Sequence, residues 1–195
     1  MNPTAARSLA LAALTILVGH SATAQLPGTS PSTARTPAAE AVSLKAVWLI
    51  PTLTAADRER LSATIRRADT LVVESKLVEA SKLEEASRLY WSVVSEQHAV
   101  QDYPVTALRR LAVMYFNVGD NYAAASVLTE LAESASEFGD PATRLQSLYE
   151  AALMYRDAAR SDRVLECVRQ IRPLLKSVAI PEAARAEIAK LIVLR

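Results

Sequence analysis

Few residues in this chain could do chemistry, and their spacing limits what that chemistry could be. Of 195 residues two are His and one is Cys. Nucleophilic catalysis needs a base beside the nucleophile, and a zinc site needs a cluster of thiolate or imidazole ligands, so this inventory supplies neither. His98 stands beside Glu96 and Gln97 at a helix end, where a solvated cap is the expected role rather than a general base. Cys167 sits mid-helix between Val164 and Val168 and reads as a small buried hydrophobe, with a reactive or intermolecular thiol as the other reading. The paired carboxylates Glu84 and Glu85, and Glu130 and Glu133, fall on outer helix faces among polar residues, as a solvated surface does. Gly119 and Gly139 stand alone, so no phosphate-cradling loop is present. Tyr90-Trp91 and Tyr115-Phe116 have the ring types that stack on sugars or bases, but beside Leu and Val at helical spacing one member of each pair is expected in the core. No catalytic set, metal site or cofactor is expected.

The elements that carry these residues are organised around 107–131, which holds two helical patterns separated by Gly119-Asp120. Leu108, Leu111, Ala112 and Tyr115 recur at steps of three and four on one face of the first arm. Ala124, Leu128 and Leu131 do so on the second. Gly119 tolerates the left-handed backbone that ends a helix, and Asp120 or Asn121 can accept from the first free amides of the next. An antiparallel hairpin follows. One hairpin cannot bury its apolar stripe alone, and the pattern recurs. Ala151, Ala152, Met154 and Tyr155 repeat the first arm, with Val164, Val168 and Ile171 on its partner, while Ala86, Tyr90 and Val93 repeat the second arm upstream.

A small residue and a Tyr in the first helix, Gly-Asp in the turn, then Ala and two apolar residues form a motif that resembles the tetratricopeptide repeats. The residues that carry the likeness are Leu111, Ala112, Tyr115, Gly119, Asp120, Ala124, Leu128 and Leu131, and it spans roughly 69–175. The separations Ala86 to Ala124 and Ala124 to Val164 exceed the family's usual spacing of about 34 residues, and the downstream unit lacks the Gly-Asp turn. The resemblance implies an all-α solenoid of about three hairpins whose first helices line a groove that holds peptides. Carried over to the middle and downstream units, the groove-facing set is Arg109, Val113, Phe116 and Asn117, then Tyr149, Leu153, Arg156 and Asp157.

Composition agrees with one helical domain. The 51% hydrophobic content suffices for one substantial core, and only 4 Gly occur. With 22 basic against 21 acidic residues there is no strong field, which removes the electrostatic reason to propose nucleic acid as a partner. Residues 1–24 read as a signal peptide: Arg7, an apolar run from Leu9 to Val18, and Ala22-Thr23-Ala24 before Gln25. That run is shorter than the ~20 residues of a membrane-spanning helix, so cleavage is expected to leave no stable span. Residues 25–41, with Pro27, Pro31 and Pro37, read as a flexible linker, and 42–195 as the tetratricopeptide-like domain, with Trp48 expected to dock on it. Thr54 and Asp57 predict a capping box, 55–80 predicts one long helix or two with a break near Asp69, and the total is seven or eight.

The function expected is non-catalytic protein binding by an exported protein, in the periplasm or secreted, with a peptide or partner helix in the groove. The alternative is an exported enzyme or carbohydrate-binding module using Tyr149 or Trp91. A homo-oligomer through the apolar last turn, Leu191 to Leu194, is a further expectation.

Overall fold

The computed structural model describes residues 53–96 and 102–193. The leader, the linker, Trp48 and His98 lie outside the described residues. Every regular element described is a helix: α1 (Ala55–Ser75), α2 (Ala80–Val94), α3 (Asp102–Asn117), α4 (Asn121–Glu137), α5 (Pro141–Asp157), α6 (Ser161–Ser177) and α7 (Glu182–Val193). Each packs on the next along the chain, and α1 also meets α3. Connections of three residues, 118–120, 138–140 and 158–160, oblige the chain to reverse at once. With the turn 76–79 between α1 and α2, the helices pair as three hairpins, α1–α2, α3–α4 and α5–α6, followed by α7.

The helix starts follow from local chemistry. At α1, Thr54 Oγ1 accepts from the Asp57 amide at 3.1 Å, and the Asp57 carboxylate accepts from the Thr54 amide at 3.2 Å. Asp120 and Asp140 accept from Ala123 and Thr143 amides at 2.9 and 3.0 Å to start α4 and α5. Pro104 is the third residue of α3. The opening amides of a helix have no internal acceptor, so proline is tolerated through that first turn.

Three successive turns share one cap. Gly119 N–H donates to the Phe116 carbonyl at 3.0 Å and Asp120 N–H to the Tyr115 carbonyl at 2.9 Å. Gly139 with Asp140, and Ala159 with Arg160, make the same two bonds. This double cap needs a left-handed residue, and the φ values are 87° at Gly119, 70° at Gly139 and 57° at Ala159. A Cβ at Gly119 would meet nothing within 4 Å, so its requirement is the backbone angle alone. Ala159 adopts that angle at a steric cost. Ala159→Gly is therefore expected to gain about 0.5 kcal/mol, the strain relieved less the added freedom of the unfolded chain, whereas Gly119→Ala loses about 1 kcal/mol. Urea midpoints compared at equal slope would show opposite shifts.

Tyrosines set the register between hairpins. Tyr155 on α5 is buried and its hydroxyl lies 3.4 Å from Ser126 Oγ on α4; Tyr115 on α3 is half-buried, 3.0 Å from Ser87 Oγ on α2. Tyr115 thus reaches the second helix of the hairpin before its own, as Tyr155 does. Tyr90 on α2 is fully buried and donates to Asp69 Oδ1 on α1 at 2.6 Å, while Arg110 on α3 stands 3.9 Å from the same oxygen. That junction ties three helices.

Candidate functional site

A cleft opens between α3 and α5. Arg109, Val113 and Phe116 project from α3 and Glu150 and Met154 from α5, above a floor of Ala124 and Leu128 on α4. These residues enclose a cleft of about 260 Å³. Small side chains at Ala112 and Ala124 let the helices approach while leaving this space unfilled. Val113 is 46% exposed and Phe116 half-buried, so apolar surface is accessible along one wall.

The expected groove-facing set divides in two. Arg109, Val113 and Phe116 come together on the cleft, and Asn117 is exposed at the end of α3. The four on α5 point elsewhere. Tyr149 and Leu153 are half-buried and pack against the core. Burial pushes the Tyr149 phenol above its ordinary value, with the charge of Glu187 on α7 acting in the same direction, so this ring faces α7. Arg156 lines a second cleft with Val164, Val168 and Arg172 of α6 and Leu191 of α7, and Asp157 pairs with Arg156 at 3.6 Å. The opposite wall of the α3–α5 cleft is built by the neighbouring positions, Glu150 and Met154. Sequence reasoning missed both. The available signal was a carboxylate inside an apolar stripe, among Leu148, Ala151, Ala152 and Met154.

Glu150 is only 8% exposed. Gln146 Nε2 donates to its Oε1 at 2.9 Å, and among the described residues no other hydrogen bond or ion pair reaches the carboxylate. Burial pushes its carboxyl above the ordinary range, while the bond from Gln146 and the charge of Arg109 pull partway back. A carboxyl raised in the fold holds its proton more tightly there than in the unfolded chain. Its ionisation therefore weakens the fold as pH rises through the folded value. Glu150→Gln is expected to raise Tm at about pH 8, with the gain fading by about pH 3, where the native carboxyl is protonated in both states. Melting curves at the two pH values check the sign.

The other candidates behave as surface or core. Cys167 is 3% exposed, and burial pushes its thiol up to about 11, so little of it is thiolate at neutral pH. Glu84, Glu85, Glu130 and Glu133 are all exposed. Tyr90 is core while Trp91 is 38% exposed, and Tyr115 and Phe116 are both half-buried. Leu191 is 4% exposed within its own chain, so that residue of the last turn is already covered. Among the described residues, no group of three His, Cys, Asp or Glu is placed to hold a metal, and no helix is long and apolar enough to cross a membrane. No protein-family model matches the chain, and neither a curated protein nor a solved structure matches it.

Proposed function

We propose that this chain is an exported, non-catalytic scaffold of the tetratricopeptide type, which holds a peptide or partner helix in the cleft between α3 and α5. The observation that carries the reading is an accessible apolar strip, Val113 and Phe116, facing Met154 across an unfilled floor. Apolar anchors supply burial, and Arg109 at the rim supplies orientation, a division of labour common where an extended segment lies in a groove. The repeated Schellman turns and Tyr–Ser bonds support the repeat reading. Export rests on the leader-like residues 1–24, and a partner in the cell envelope follows from it.

The test is selection from a random-peptide display library on the chain beginning at Gln25, with affinities of the enriched peptides measured by fluorescence anisotropy. Phe116→Ala is expected to weaken them by about 1–2 kcal/mol, roughly five- to thirtyfold in Kd, with a far smaller stability loss than a core tyrosine would show. Peptides that bind Phe116→Ala as well as the parent would remove the cleft from consideration. N-terminal sequencing of exported material, expected to start at Gln25, checks the location.

A further inference from the structure

We infer that the segment held in the α3–α5 cleft presents one lysine or arginine side chain between apolar residues, with the cation seated on Glu150. This rests on the cleft being a peptide site, and it names what that site selects.

The cleft offers one carboxylate more than nine-tenths buried, yet part of its lining. Its Oε1 is satisfied by Gln146; its Oε2 accepts no hydrogen bond among the described residues. A neutral amide at this position would keep a hydrogen-bonding group beside Gln146 without the cost of burying a charge, so the fold gains nothing from the acid. The cations nearby do not discharge it. Arg109 attracts it across the cleft without closing to an ion pair, and Arg110, which also lines the cleft, makes its one ion pair among the described residues with Asp69, at 3.9 Å.

Ligand chemistry follows from the alternatives. An apolar segment covering the cleft would bury Glu150 completely with no counter-charge, which is strongly unfavourable. An acidic side chain would meet repulsion at the same depth. A Lys or Arg side chain gives Oε2 a charge-assisted donor while its methylene stem lies on Met154 and Leu128, and apolar residues on either side meet Val113 and Phe116.

Enriched peptides from the display selection would be synthesised with the basic residue intact and with norleucine in its place, then titrated against the parent, Glu150→Gln and Phe116→Ala. The parent is expected to prefer the basic form by about tenfold or more, and Glu150→Gln to abolish or reverse that preference. Phe116→Ala should weaken both forms by similar factors. Melting of Glu150→Gln at or above the parent's temperature shows that any loss is not unfolding. Equal affinity for basic and norleucine peptides, or an unchanged preference in Glu150→Gln, would overturn the assignment and leave the cleft as an unselective peptide site. Enriched peptides that carry acids and depend on Arg109 would overturn it as well. Peptides insensitive to both substitutions, or no enrichment, would overturn the cleft reading itself.

Discussion

Tyr90→Ala is expected to lower stability by about 3–5 kcal/mol, the usual cost of removing a large buried ring. Tyr90 is 1% exposed, and its side chain fills the space where α2 meets α1. Deleting it opens a cavity and leaves Asp69 with only the distant Arg110. Tyr90→Phe separates the two contributions, because the ring stays and the hydroxyl goes. Its cost should be about 1 kcal/mol, near the low end for a bond to a charged acceptor, since Asp69 is partly solvated. Urea titrations of both variants beside an exposed control, Val73→Ala, decide the matter. If Tyr90→Ala shifts the midpoint no further than that control, the three-helix junction is not centred on this residue.

Ala151→Leu should be the second severe change. Ala151 is fully buried in α5, where the helix is enclosed by α4 and α6, so three added carbons must displace packed neighbours. Overpacking of this kind costs about 1–3 kcal/mol, which corresponds to a Tm lower by roughly 2–12 °C in a domain of this size. Ala124→Leu makes an informative contrast. Ala124 is also buried, but it forms part of the cleft floor, so its added carbons have open space beside them. It should melt closer to the parent and block the cleft. A larger melting penalty at Ala124 than at Ala151 would mean that the floor is as tightly packed as the core.

The helices were legible wherever a local signal closed them. Thr54 with Asp57, Asp120 after Gly119, and Asp140 before Pro141 each fixed a boundary through short-range hydrogen bonds. The end of α1 was not legible, because Lys76 and Leu77 turn left-handed without a glycine. Buried Ser75 stabilises that turn, donating to the Val72 carbonyl at 2.7 Å and accepting from the Leu77 amide at 3.1 Å. The third turn was legible from the helical patterns on either side of it, although Ala159 supplies its left-handed residue in place of a glycine. In the cleft, the positions carried over from the tetratricopeptide resemblance put Arg109, Val113 and Phe116 on the α3 wall, where the structure has them. The α5 wall depends on the rotation of α5 relative to α3, and carrying positions over by repeat alignment named the face that looks onward to α7. Glu150 lay one residue away.

Because the packing from α3 onward runs mainly from each helix to the next, that part of the chain is joined in series, and force applied to its ends loads those interfaces in turn. The thinnest link is that between α6 and α7. Under tension that last helix is expected to let go first and the hairpins behind it to yield in turn, so that the force–extension trace of the protein pulled from its two ends should be stepped.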